Sequence, residues 1–343
     1  MHRASFSVFT LRGYLAVVAL GLLVSFGLAA ALRSVGSADV GFLLVCTIET
    51  VPEPEFPGVL TTVAFEPVWV FLLGAIAAGY LLIGRNVRER GQGRLVTKGR
   101  TISFLAGLAL VLITVFGPVA AYSRTFLSAH MIQHFLLITI APPLLLAGAP
   151  LTLALVAAGR ERRDKVLYRV LHARWFHAFT NPLVGVVLFA IVPLGWFITP
   201  AFEHSLTNGW IHHLGHGIFL FAGIHYWWPV VGGNPSKWVL PHPVRLIYLF
   251  ALVPIHAFLG MYFYEPSQVM FEQLHELPRS WGPSPLADQQ FAGTMMFVVG
   301  EMVGLVAVLV AAVKWSQADD REAKRGDAVR ARRRAALARN ASK

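Results

Sequence analysis

Histidine is the residue type through which this chain is most able to do chemistry. It has 13 histidines in a sequence that is 56% hydrophobic and only 14% charged. His130 and His134 stand four apart in AHMIQHFLL, and His212 and His216 repeat that spacing in WIHHLGHGIF. On an α-helix such residues share a face, so each pair offers two imidazoles in one direction while His213 points away. His256 lies on a third apolar stretch, eight residues before Tyr264. At ~1.5 Å per residue, His134 and His216 sit roughly 8–9 Å below one membrane edge and His256 about 12 Å below it. Ionisable side chains at such depths are costly and mark a functional site by default.

Met131, Met261, Met295 and Met296 fall near the same helix ends, Met270 in the loop beyond, and Met302 deeper. Imidazole with thioether suits Cu(I), whereas magnesium or calcium would want oxygen donors. The same histidines could equally ligate haem from two helices, and spacing does not choose between copper and haem. The plain structural alternative is that the pairs hydrogen-bond across helices and the methionines fill the core. No HExxH occurs, so a zinc-protease reading has no support. The candidate metal ligands are therefore His130, His134, His212, His216 and His256, with Met131, Met261, Met295 and Met296 as auxiliary donors. Glu301 joins the auxiliaries, because it is the one acidic residue inside an apolar run and needs a partner or a proton. His256, at similar depth, is its candidate neighbour.

What positions these residues is a set of apolar runs. A mean hydropathy of +0.60 nearly excludes a water-soluble globule. Crossing ~30 Å of hydrocarbon takes about 18–20 apolar residues. Eight stretches qualify: 13–32, 67–84, 101–121, 129–147, 179–200, 210–230, 246–264 and 291–313. The first also resembles a secretory signal peptide, but its length favours a retained helix. With the N-terminus in the cytoplasm, 26 of the 29 Lys and Arg fall on the cytoplasmic side. The net charge of +11 is thus a topology signal and an anionic-lipid contact, not a nucleic-acid surface. The fold class is all-α: a polytopic transmembrane helical bundle of eight helices, a seven-helix core plus an N-terminal helix, with both termini cytoplasmic. Residues 1–64 hold the first helix and an acidic outer loop, 65–315 the seven-helix membrane domain, and 316–343 a charged cytoplasmic tail.

Smaller features complete the reading. APPLLLAGAP at 141–150 should break or kink the fourth span, because proline lacks a donor and clashes with the preceding turn. Residues 160–176 can form a basic amphipathic helix on the membrane surface. His225, beside Tyr226, Trp227 and Trp228, reads as an interfacial hydrogen bonder. Cys46, the single cysteine, excludes a disulfide scaffold.

Four segments occur in a telling order: AHMIQHFLLITIAPPLLLAGAPLTL (129–153), NPLVG (181–185), WIHHLGHGIFLFAGIHYWWPV (210–230) and DQQFAGTMMF (288–297). This series resembles the CtaG-type family of cytochrome c oxidase assembly factors, polytopic bacterial inner-membrane proteins tied to caa-type haem–copper oxidases. The resemblance spans roughly residues 65–315. It implies a role in maturing the oxidase, with copper delivery the usual proposal, and oxidase subunits or other assembly factors as partners. The matching positions are His130, Gln133, His134, His212, His216, Asp288, Gln289, Gln290 and Gly293. Gln133 and Asp288 thereby join the auxiliary donors.

The leading expectation is a non-enzymatic assembly factor that binds Cu(I) through outward-facing His and Met residues. A haem-binding electron carrier, a copper transporter and a metal-free scaffold are the alternatives.

Overall fold

The computed structural model describes residues 53–60, 62, 67–238, 240–275 and 280–341. The expected first span at 13–32, Cys46 and most of the outer loop 33–66 lie outside these residues. All regular structure among the described residues is helical. The main helices are α1 (Pro67–Glu89), α2 (Lys98–Phe116), α3 (Leu127–Phe135), α4 (Ala141–Ala147), α5 (Pro150–Ala157), α6 (Pro182–Ile198), α7 (Ala201–Thr207), α8 (Gly209–Val231), α9 (His242–Phe250), α10 (Leu252–Tyr264) and α11 (Pro285–Ala341).

Among the described residues, five helical segments are long and apolar enough to cross a membrane, and six if the bent α6–α7 pair is one span. The outward surfaces fit that reading. Ile102, Leu183, Ile191 and Ile247 are each at least 59% exposed, a pattern that water would penalise and lipid would not. α8 has 23 residues, roughly 34 Å of helix, and so has the length to cross. Its four histidines and its tryptophans make it too polar to count among the five. It is instead the central helix, packed against α4, α6, α7 and the turn after α3.

The fourth span, continuous over Leu127–Ala157, becomes irregular earlier than the proline cluster alone suggests. A π-turn at Leu136–Ile140 follows α3 directly, and Ala149 takes a left-handed conformation (φ 50°) between α4 and α5. Pro142 and Pro143 lack the N–H groups that the carbonyls of Ile138 and Thr139 would otherwise receive, so the ladder is disrupted one turn upstream of the ring. Gly223 of α8 packs its backbone onto the Ile138 carbonyl and the Pro142 ring, leaving no space for a methyl group. α6 likewise bends by 65° into α7 at Thr199-Pro200.

α10 and α11 touch through glycines. The Gly293 Cα faces the Gly260 carbonyl, and a methyl at Gly300 would lie 2.6 Å from the His256 Cβ. Close approach through small residues is how helices associate when no water is expelled. α11 runs unbroken from the apolar segment through the charged tail to Ala341. Ala, Arg, Glu and Lys are strong helix formers, and Arg330 pairs with Asp327 at 2.7 Å.

Gly223→Ala is expected to destabilise the protein by the roughly 1–3 kcal/mol of an overpacked contact, read as a lowered melting temperature in detergent. Gly74→Ala, where nothing lies within 4 Å, is expected to leave it unchanged or raise it. Equal behaviour of the two would contradict the close packing of α8 on the π-turn.

Candidate metal centre

Two capped helix starts fix the depth of the histidines. α3 begins at Leu127, where the buried Asp288 of α11 accepts hydrogen bonds from the Leu127 amide (2.6 Å) and the Ser128 hydroxyl (2.5 Å). α8 begins after Asn208, whose side chain accepts from the amides of Trp210 (3.0 Å) and Ile211 (3.4 Å). Each cap satisfies donors that a helix start leaves bare. His130 stands three residues past the first cap contact and His212 four past Asn208, so both pairs enter the bundle at one level.

The four rings then close into a square. Ring centroids are 4.6 Å apart for His130–His134, 5.4 Å for His130–His212, 4.3 Å for His212–His216 and 5.9 Å for His134–His216. All four side chains are at most 5% exposed, His212 the most. Imidazole nitrogens about 2.0–2.1 Å from one ion would set centroids roughly 5 Å apart. The square has that size.

Its hydrogen bonding fixes the tautomers. His130 Nδ1 lies 3.3 Å from the Ser123 carbonyl, which only accepts, so this nitrogen carries the proton. In the neutral ring, His130 Nε2 is then a lone pair, and it faces His134 Nε2 at 2.8 Å. His134 Nε2 must donate, which leaves His134 Nδ1 as a bare lone pair. That atom is buried without a partner, as are both ring nitrogens of His216. As the rings are turned, among the described residues no three His, Cys, Asp or Glu side chains are set to hold a metal ion. The His130–His134 bond engages one nitrogen from each of two rings, so an ion could be held by all four rings only if that bond broke and those rings rotated.

Aromatic side chains wall the square. Phe219 stacks on His134 at 4.0 Å, Phe202 meets His130 edge-on at 4.9 Å, and Trp69 of α1 lies 6.4 Å from His216. Trp69 Nε1 also donates to His213 Nδ1 (3.3 Å), so His213 faces α1. Arg124 is 6% exposed and close enough to act electrostatically on His213 and His216. Trp69, Arg124 and Ser123 were not singled out from the sequence. Only the interfacial placement of Trp69 offered a hint.

Other expected donors go elsewhere. His256 packs against Phe135 (5.4 Å) and Phe189 (5.8 Å), not against the four rings. Matched depth did not fix its direction around the bundle. Gly300, not Glu301, faces His256; Glu301 is one residue on, about 100° around the helix, and half-buried. Met131 and Met296 are packed in the apolar core, Met295 and Met270 are half-buried, and Met261 (56% exposed) and Met302 (62%) face outward. Asp288 spends its oxygens capping α3. Gln133 donates to the Thr114 carbonyl (2.8 Å) and ties α3 to α2. Gln289 accepts from the Met270 amide (2.9 Å) and donates to the Phe263 carbonyl (3.3 Å), closing the loop before α11. His225 is buried among Phe179 and Phe221 with neither nitrogen paired, so it makes no interfacial hydrogen bond here.

Nitrogen-15 spectra of histidine-labelled protein are expected to show His130 as the Nδ1–H tautomer and His134 as the Nε2–H tautomer. The reverse assignment would overturn the hydrogen-bond order within the square.

The sequence matches the profile of the cytochrome c oxidase caa3 assembly factor family, Caa3_CtaG, over residues 78–318. It is similar to uncharacterised proteins of Mycobacterium bovis and Mycobacterium tuberculosis, each 32% identical over 288 residues. An uncharacterised protein of Mycobacterium leprae is 29% identical over 284 residues. These alignments cover 80% of this chain but 43% of each relative, so the chain spans less than half the length of the curated proteins it matches. No solved structure matches. The matched segment contains both histidine pairs, the Phe202 and Phe219 walls and the Asp288 clasp, though not Trp69, and the chain belongs to the cytochrome c oxidase caa3 assembly factor family.

Proposed function

We propose that this chain serves assembly of a haem–copper oxidase by holding one Cu(I) among His130, His134, His212 and His216 and passing it to an oxidase subunit or another assembly factor. The observation that carries this reading is the closed square of four buried imidazoles from two helices, three of whose nitrogens have no partner. A soft monovalent ion suits the place. The rings are neutral, the walls are aromatic, and Arg124 nearby adds positive charge, so a divalent ion would bear a far larger desolvation penalty. Copper is cargo here. Transfer is ligand exchange, needs no bond-making chemistry from the protein, and is non-enzymatic.

The same reading places the chain in the bacterial plasma membrane with eight helices and both termini in the cytoplasm. His212, the most exposed member of the square, then faces the extracytoplasmic side, where a recipient would dock. Haem is disfavoured: a porphyrin plane must lie between two axial rings, and these four are in direct contact. A transport pathway through Glu301 and His256 is disfavoured because the two side chains point apart.

Competition against a Cu(I) chelator tests the proposal on the purified full chain. One Cu(I) per chain is expected. Alanine at His130 or His216 is expected to weaken binding by more than about a hundredfold, beyond the 10–100-fold typical of supporting residues. His256→Ala and Met261→Ala are expected to leave it unchanged. Absence of stoichiometric binding, or binding indifferent to all four histidines, would remove copper from the account.

A further inference from the structure

A cavity separate from the histidine square lies toward the end of the bundle where Lys and Arg concentrate. It is a groove of about 430 Å³, walled by α4, α8 and α11. Its floor is the π-turn, through Thr139 and Ile140, and the ring of Pro143 opens it by preventing a regular helix there. Its sides are valines of α11: Val303, Val306 and Val310. Val306 is 57% and Val310 48% exposed, so the groove opens sideways, toward lipid.

Two cations stand at its mouth, Arg245 at the start of α9 and Lys314 where the apolar part of α11 ends. Arg245 Nη2 donates to the Leu240 carbonyl (3.2 Å), while its Nε is buried without a partner. Trp227 Nε1, also in the lining, is buried and unpaired. From Val303 to Lys314 is eleven residues, roughly 16 Å of helix, which matches half of a ~30 Å hydrocarbon layer. The groove thus has the length of one leaflet, an apolar body, and positive charge with spare donors at the interfacial end.

We propose that this groove seats one acyl chain of an anionic phospholipid, with the headgroup phosphate held between Arg245 and Lys314. The Trp227 indole N–H, about one turn from the end of α8, lies at the depth of the lipid's ester oxygens. Charge complementarity identifies the occupant: a neutral lipid brings no anion, a zwitterionic one brings a phosphate already neutralised by its own cation, and a partner helix of ordinary apolar sequence would cover both cations uncompensated. The site is independent of whether the histidine square binds copper.

Native mass spectrometry tests it, on the full chain extracted from vesicles of phosphatidylglycerol and phosphatidylcholine in equal amounts. Phosphatidylglycerol is expected to be retained about thirtyfold over phosphatidylcholine, at roughly fivefold per cation. Arg245→Gln with Lys314→Gln is expected to abolish that preference. Val306→Trp, which fills the groove without altering charge, is expected to reduce retention of both lipids. Melting temperatures of the variants, measured alongside, separate lost binding from lost folding. Equal retention by the parent chain, a preference that survives in the double variant, or undiminished retention in Val306→Trp would overturn the proposal. So would inorganic phosphate binding the lipid-free protein as tightly as phosphatidylglycerol, which would mark a plain anion site.

Discussion

Polar nitrogens buried in an apolar bundle must find partners, and the structure turns on how four imidazoles meet that demand. Each ring offers two nitrogens, and the bundle supplies them with few donors or acceptors of its own. The Ser123 carbonyl takes one proton, and His130 and His134 satisfy each other at 2.8 Å. His134 Nδ1 and both nitrogens of His216 remain bare. An unsatisfied buried polar atom costs on the order of 1–3 kcal/mol. One nitrogen of the neutral His216 ring carries a proton, so the square holds two uncompensated lone pairs, one on His134 and one on His216, which under the proposal above a metal ion would accept. The mutual hydrogen bond also gives the square a definite arrangement.

The rest of the bundle serves to bring the pairs to one level and hold them there. Asp288 reaches from α11 to start α3, Asn208 starts α8, and Gln133 ties α3 to α2. Glycines let the backbones approach: Gly223 against the π-turn, and Gly215, where a methyl would strike Trp196. The aspartate and glutamines of the DQQ segment thus act through helix placement. Their contribution to the site is its geometry, and loss of the Asp288 cap would shift two ligands at once.

The sequence made depth and helical face legible, because hydropathy locates the membrane edge and a 3.6-residue period assigns directions around one helix. Both histidine pairs and the outward turn of His213 followed from that. Direction around the bundle was not legible, since it depends on which helices pair. His256 and Met261 have suitable depth but point to Phe189 and to the outside respectively. Glu301 was matched with His256 by depth, and the neighbouring glycine took the place instead. The role of Asp288 was hidden for a related reason: its partners lie 160 and 161 residues away, and no local pattern reports such a bond. The irregular turn of the fourth span lies upstream of its prolines, because proline perturbs the turn before it.

The proposed copper role links family membership to the site: an oxidase with copper centres needs a source of copper, and the four imidazoles lie within the matched segment. X-ray absorption at the copper edge, on full-length protein loaded with Cu(I), examines that link most directly. The expected spectrum shows only nitrogen neighbours at about 2.0 Å with the multiple scattering of at least three imidazoles. A sulfur shell at about 2.3 Å, or a spectrum unaltered by His130→Ala and His216→Ala, would place the ion outside the square and contradict the account.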